Sequence, residues 1–175
     1  MPKTLFPEDF AGFGAYATPE FVRRRQVLSQ TVTTLSGRLQ EHRERALENH
    51  ARWRKEPVGS TGPKVQVIAG DWGEVTGRLT AASGEVFAVL NMANAYVPGG
   101  GYVEGCPAQE ENMFRRTDCH FSVHDQEMDP RTQRYLPAVS AKINAELGRV
   151  LLDTDCPRVC VRGGEDRGSE DLGYR

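Results

Sequence analysis

Apolar residues recur at helical spacing near the start of the chain. The tripeptide Thr18-Pro19-Glu20 supplies an N-cap, a proline at the first helical position and an acidic residue in the first turn. Intervals of four, three and four residues then separate the apolar residues Leu28, Val32, Leu35 and Leu39. The pattern predicts a helix that begins at Thr18 and packs one apolar side against a core.

Beyond these residues, from Gln40 to Glu56, the sequence becomes almost wholly charged, with opposite signs at helical spacing. This pattern predicts an exposed extension of the same helix, and the interleaved acids favour a solvated surface over a phosphate-binding one. An interaction surface on the arm from Arg43 to Lys55 is the alternative. The run from Pro57 to Pro63 then predicts a turn or linker.

The remaining hydrophobic pattern alternates between strand and helix. Three short segments are predicted as strands because they are apolar and rich in β-branched residues, namely Lys64–Ala69, Val86–Leu90 and Arg158–Arg162. Two longer segments are predicted as helices, Gln109–Ser122 and Pro137–Leu152. This order predicts an α/β fold, with a helical extension over residues 1–62 and a sheet flanked by helices over residues 63–175.

Composition restricts the partners and the compartment. With 175 residues, 38% of them hydrophobic, the chain has the size and apolar content of one domain. A formal net charge of -2 gives no basic field, so nucleic acid is not an expected partner. No apolar stretch is long enough to cross a membrane and no signal pattern opens the sequence. We therefore expect a cytoplasmic protein with no membrane partner.

The four cysteines are spaced irregularly, so a disulfide framework is not expected in a cytoplasmic chain. Candidate zinc ligands are Cys156, Cys160, Cys119, His120 and His124. No CxxC pair occurs, and Cys160 lies in an apolar run. We therefore expect buried thiols and no metal.

The residues that indicate chemistry lie between Leu90 and Arg116. Asn91 and Asn94 follow a predicted buried strand, at the position where an α/β sheet presents its ligand-binding edge. The triplet Gly99-Gly100-Gly101 then allows positive φ values, and it lets backbone amides approach a phosphate closely. This segment is therefore the candidate ligand-binding loop.

Two adjacent glutamates follow the glycine triplet. Gln109-Glu110-Glu111 comes after a spacer of seven residues, at the predicted start of a helix. Adjacent residues of a helix diverge by about 100° around its axis, so Glu110 and Glu111 should have different roles. One carboxylate could bind ribose hydroxyls, while the other protonates a glycosidic oxygen and then activates water. Either feature alone is more often a turn or a solvated helix start, so the combination carries the prediction.

The spacing of the glycine triplet and the Gln-Glu-Glu run resembles the signature of bacterial-type poly(ADP-ribose) glycohydrolases, which belong to the macrodomain superfamily. The segment from Asn91 to Tyr96 is similar to the one that precedes the triplet in that family. The resemblance implies a macrodomain-like mixed sheet flanked by helices, preceded by an N-terminal helical extension. It also implies activity in the turnover of ADP-ribosylation, including the DNA damage response, with no metal or organic cofactor.

Roles for individual residues also come from this resemblance. It implies that Glu111 is the catalytic acid and base and that Glu110 holds ribose hydroxyls. Asn94 would contact the terminal ribose, and Gln109 would position the same ribose. The loop from Gly99 to Gly101 would line the diphosphate.

The sequence also departs from the family. Its bacterial-type members are longer, and their additional part holds a second glycine-rich diphosphate loop and an aromatic residue near the adenine. Neither follows Gln126, and Gly163-Gly164 lies beside Glu165 and Asp166, which would repel a diphosphate. We therefore expect the C-terminal part of the catalytic core to be missing and a complementary C-terminal polypeptide to associate with the chain.

Three functions remain open at this point. The first is hydrolysis of the ribose-ribose bond of poly(ADP-ribose). The second is a non-catalytic module that binds ADP-ribose or poly(ADP-ribose), which the missing second loop favours. The third is an interaction protein that works through its charged arm.

Overall fold

The computed structural model describes residues 18–53, 65–85, 87–151, 158–159 and 163–165. Its α-helices and strands are α1 Pro19–Ser36, α2 Leu39–Trp53, α3 Trp72–Ser83, α4 Gln109–Arg116, β1 Met128–Asp129, β2 Arg134–Tyr135 and α5 Pro137–Ile143. Short 3-10 helices at Asp118–Phe121 and Asp125–Glu127 lie between α4 and β1. Helices with a small sheet are consistent with the predicted α/β class.

The first helix begins where the sequence predicts it. Thr18 has extended backbone dihedral angles, and Pro19 occupies the first turn of α1. Leu28 is buried with Tyr102, Phe114 and Cys119, and Val32 packs against this cluster. Because α1 also contacts α4 directly, this cluster positions the helix that carries the paired glutamates.

The predicted single helix is interrupted, which corrects the expectation of one continuous extension. Helix α1 ends at Ser36, and Arg38 donates its N–H to the Leu35 carbonyl at 3.0 Å before α2 begins at Leu39. The side chains of α2 are mostly exposed or half-buried, as the charge pattern predicts. Half-buried Arg43 links α2 to the rest of the protein, because its Nε donates to the buried carboxylate of Asp118 at 3.0 Å. The predicted linker from Pro57 to Pro63 lies outside the described residues.

Two predicted strands do not form, and this prediction was wrong for residues 65–69 and 87–90. A strand needs neighbours that accept and donate its backbone hydrogen bonds. Within the described residues the sheet is the antiparallel pair of β1 and β2, with Met128 opposite Tyr135. The segment around Val65 and Val67 instead leaves these side chains 93% and 95% exposed. Of the third predicted strand, only residues 158–159 are described.

Helix α3 was not predicted, although its sequence carries clear end signals. Asp71 caps it by accepting the N–H groups of Gly73 and Glu74 at 3.0 and 3.1 Å. Gly84 ends it with a left-handed backbone, φ 73°. The helix was not predicted because its apolar residues show no helical period. No residue of α3 is buried.

The two predicted C-terminal helices begin correctly and end early. Helix α4 stops at Arg116 because Thr117 is extended, and its hydroxyl accepts the Cys119 N–H to open a 3-10 turn. Helix α5 ends at Ile143, well before the predicted Leu152. Leu147, Val150 and Leu151 are 76%, 76% and 60% exposed, so no packing in the described part favours helix there.

Candidate active site

The glycine triplet forms a tight turn that begins at Asn94. The Asn94 side-chain Oδ1 accepts the N–H groups of Tyr96 and Val97 at 2.9 and 3.0 Å. Gly99 and Gly100 then adopt φ values of 69° and 52°, in the left-handed region that glycine favours. A Cβ at Gly99 would lie 2.6 Å from the ring of Tyr102. Backbone conformation therefore requires glycine at Gly99 and Gly100, and close packing requires it at Gly99 as well.

Glu110 is buried beneath this turn and joins its two ends. Its side chain is 3% exposed. Oε2 accepts the N–H of Asn94 at 2.7 Å, and Oε1 accepts the N–H of Gly99 at 3.2 Å. Burial raises the pKa of the Glu110 carboxyl, although both backbone hydrogen bonds favour its anion. Both carboxylate oxygens are thus committed to the turn.

Glu111 is held differently. Its Oε1 accepts the N–H of Gly101 at 3.1 Å, and the residue is half-buried. Its Oε2 accepts no hydrogen bond from the described part of the chain. A carboxyl group with one anchored and one uncommitted oxygen is suited to exchanging a proton with a ligand.

Gln109 binds the chain on the other side of Asn94. Its Oε1 accepts the N–H of Met92 at 2.9 Å, and its Nε2 donates to the carbonyl of Leu90 at 2.7 Å. Gln109, Glu110 and Glu111 therefore each hydrogen-bond to the backbone of the segment 90–101. The structure brings together all the predicted site residues, Asn94, Gly99, Gly100, Gly101, Gln109, Glu110 and Glu111.

The amides of the triplet point inward. Gly99 donates to Glu110, Gly100 donates to the Val97 carbonyl at 3.0 Å, and Gly101 donates to Glu111. In this structure the loop thus positions carboxylates. Its predicted contact with a diphosphate stays a prediction.

Two buried arginines at the end of α4 support the site, and sequence reasoning missed both. The guanidinium of Arg116 makes two hydrogen bonds to Asp71, at 2.7 and 2.8 Å, and lies 4.8 Å from the centre of the Trp72 ring. Burial opposes the Asp71 anion, but the hydrogen bonds and charge of Arg116 leave the pKa of this carboxyl lowered. Asn112 accepts from both Trp72 and Arg116 at 2.8 Å. Helix α4 is therefore tied to the start of α3.

Arg115 ties the same helix to other segments. It donates to the carbonyls of Cys106 and Tyr102, at 3.0 and 3.4 Å, and forms a bidentate ion pair with Glu165. Arg115 is fully buried and Glu165 is 8% exposed. A charged pair at a helix end would ordinarily be assigned to the surface, so its sequence gives no signal of this role.

An open cavity of about 390 Å³ lies beside the first turn of α4. Asp71, Asn112 and Glu165 line it, whereas Glu110, Glu111 and the glycine triplet do not. We place the candidate site at the glutamates, because there a carboxylate oxygen without a hydrogen bond lies beside the glycine turn.

The zinc alternative gains no support. Among the described residues, no group of three or more His, Cys, Asp or Glu side chains could hold a metal ion. Cys156 and Cys160 lie outside them. Cys119 is buried as expected, which raises the pKa of its thiol to about 11, whereas Cys106 is only half-buried. No helix in the described part is long and apolar enough to span a bilayer.

Paired glutamates at the start of α4 hold the glycine turn, and carboxyl groups are the groups that glycoside hydrolysis uses. Comparison with known families points to the same chemistry. Residues 17–136, more than half of the chain, match the model of the microbial-type PARG catalytic domain, where PARG denotes poly(ADP-ribose) glycohydrolase. The chain therefore belongs to this family. Neither the curated proteins nor the solved structures contained a match.

Proposed function

We propose that the protein hydrolyses the ribose-ribose O-glycosidic bond of poly(ADP-ribose) and releases ADP-ribose, with Glu111 as the catalytic acid and base. Membership of the microbial-type family supports the substrate class. The uncommitted Oε2 of Glu111, in a carboxyl group anchored by Gly101, is the observation that carries the assignment.

The reaction needs two proton transfers, and both take place at Glu111. The carboxylic acid of Glu111 donates its proton to the leaving ribose oxygen as the bond from that oxygen to the anomeric carbon breaks. Water then attacks the anomeric carbon, and the Glu111 carboxylate accepts a proton from that water. The proton balance closes on one residue, so the reaction we propose uses no cofactor.

The remaining site residues would bind and place the sugar. Asn94 is exposed, and its Nδ2 is a donor suited to a ribose hydroxyl because its Oδ1 is already used in the turn. Glu110 would hold ribose hydroxyls by family resemblance, although both of its oxygens accept backbone N–H groups here. A diphosphate at Gly99–Gly101 would have to share or replace the carboxylate that the Gly101 amide now binds.

The alternative is a module that binds ADP-ribose without cutting it. The inward direction of the three glycine amides does not favour this alternative, because a loop that binds phosphate usually offers its amides to the ligand. Binding of ADP-ribose without release of ADP-ribose from the polymer would select it. The expected complementary polypeptide also stays a prediction.

The substitution Glu111→Gln tests the catalytic assignment. It keeps an acceptor for the Gly101 amide but removes the exchangeable proton, so release of ADP-ribose from labelled polymer should fall by about 10²- to 10⁴-fold. Binding of ADP-ribose, measured by calorimetry, should stay close to that of the unaltered protein. Glu85→Gln, at an exposed glutamate after α3, is the matched control. Unchanged release by the Glu111 variant would refute the assignment.

A further inference from the structure

Gln109 binds the backbone of residues 90–92 as a neighbouring strand would. Its amide accepts the Met92 N–H at 2.9 Å and donates to the Leu90 carbonyl at 2.7 Å. No other hydrogen bond from the described part of the chain reaches either group. Residues 87–90 have no strand partner within the described part of the chain, so one side chain supplies a donor and an acceptor to the backbone of residues 90–92.

We propose that Gln109 is a positioning residue, which sets the place of Asn94 relative to Glu111 by holding the backbone of residues 90–92. The proposal rests on the proposed function. In it, Gln109 affects substrate binding by holding the backbone that leads to Asn94, and not by contacting the ribose. Both polar atoms of its side chain are already paired with backbone groups, so a direct bond to ribose would have to share them.

The geometry makes Asn94 depend on two anchors. On its N-terminal side, Met92 is held by Gln109, and Asn94 itself donates its N–H to Glu110 at 2.7 Å. Both anchors arise from adjacent residues in the first turn of α4, the turn that also carries Glu111. Removing the Gln109 anchor leaves the hydrogen bond from the Asn94 N–H to Glu110 as the link between Asn94 and α4 in the described part of the chain.

Leucine at position 109 keeps the size of the side chain and removes both hydrogen bonds. Gln109→Leu should therefore remove most of the protection of the Met92 amide from hydrogen exchange. It should also raise KM for polymer by about tenfold, with a smaller change in kcat, because Asn94 is misplaced while Glu111 stays anchored. Gln40→Leu is the control, since the Gln40 amide bonds only Glu44, at 2.8 Å on exposed α2.

Gln109→Glu separates positioning from a general loss of structure. A protonated carboxyl offers one donor and one acceptor, the same pattern as the amide, whereas its anion offers acceptors only. The protection factor of Met92 in this variant should therefore recover towards that of the unaltered protein as the pH falls. Glu110 and Glu111 are carboxyl groups beside this position, so Gln109→Leu measured at the same pH values is the reference.

Three outcomes decide the proposal. Loss of Met92 protection with raised KM in Gln109→Leu, and recovery at low pH in Gln109→Glu, supports it. Full Met92 protection in Gln109→Leu, or lost protection with unchanged KM, overturns it. If the unaltered protein neither binds nor cleaves the polymer, the proposed function fails and the functional part of this inference fails with it. The Met92 measurement would then still show whether Gln109 holds the chain.

Discussion

Glu110 combines deep burial with two backbone hydrogen bonds. Removal from water favours its neutral form, whereas the N–H groups of Asn94 and Gly99 favour its anion. Burial is the larger effect, so the pKa of Glu110 is raised. The residue therefore differs from an ordinary solvated glutamate at a helix start, which is what its sequence position alone would suggest.

This raised pKa predicts a direction of pH dependence. A carboxyl whose pKa is higher in the folded state contributes stability that is fully present below its unfolded value, near pH 4.3, and that is lost as the pH rises through the folded value. Glu110→Gln does not titrate. The free energy of unfolding of the unaltered protein, relative to this variant, should fall as the pH rises above about 4. Urea unfolding at several pH values measures it, and parallel curves would contradict the expectation.

At the scale of elements, helix α1 holds the loop that leads from the glycine triplet to α4. Arg25 and Arg24 donate to the carbonyls of Glu104 and Gly105 at 3.2 and 3.4 Å. Gly105 has φ 94°, and a Cβ there would lie 2.7 Å from the backbone oxygen of Phe21. Helix and loop thus touch backbone to backbone, which no side chain at position 105 would allow.

Two glycine substitutions should act in opposite directions. Gly105→Ala should destabilise the protein by roughly 1–3 kcal/mol or more, because it adds a strained φ and a collision with α1. Gly37→Ala, between α1 and α2, meets nothing within 4 Å and has a helical backbone, φ -91° and ψ -12°. It should stabilise by about 0.4–1 kcal/mol. The urea concentration at half-unfolding measures the stability of each variant. Equal shifts of this midpoint in Gly105→Ala and Gly37→Ala would contradict the close contact at Gly105.

The elements also show which sequence signals were reliable. The starts of α1 and α4 were predicted correctly, because a proline in the first turn or acids near a helix N-terminus act within a few residues. The strands at 65–69 and 87–90 were predicted wrongly. Their hydrophobic pattern describes how a strand would be buried, but pairing depends on partners elsewhere in the chain.

At the scale of the whole molecule, the ion pair of Arg115 and Glu165 connects residues 50 positions apart. Arg115 is fully buried, and its other hydrogen bonds reach the carbonyls of Tyr102 and Cys106. One guanidinium therefore joins α4, the loop after the glycine triplet and the segment 163–165. The segment therefore takes part in the packing around Arg115.

Removing the charge of Glu165 should expose how much the molecule depends on this pair. Glu165→Gln leaves Arg115 buried without a counter-charge, and we expect a loss of about 3 kcal/mol in the free energy of unfolding. Urea unfolding of the full chain measures it. Glu41→Gln, in the exposed pair with Arg38, is the control and should leave the midpoint nearly unchanged. A midpoint for Glu165→Gln equal to that of the control would show that the pair is not needed.

The sequence alone determined the local parts of this protein. The turn at the glycine triplet, the start of α4 and the different directions of Glu110 and Glu111 can all be predicted from neighbouring residues. The reason is that φ limits and helix periodicity act over a few positions. Only the tertiary structure decided that these side chains hold residues 90–101. It also decided that Arg116 would meet Asp71, 45 positions away. Such pairs form because a buried charge needs a partner, and the folded chain alone determines which one lies within reach.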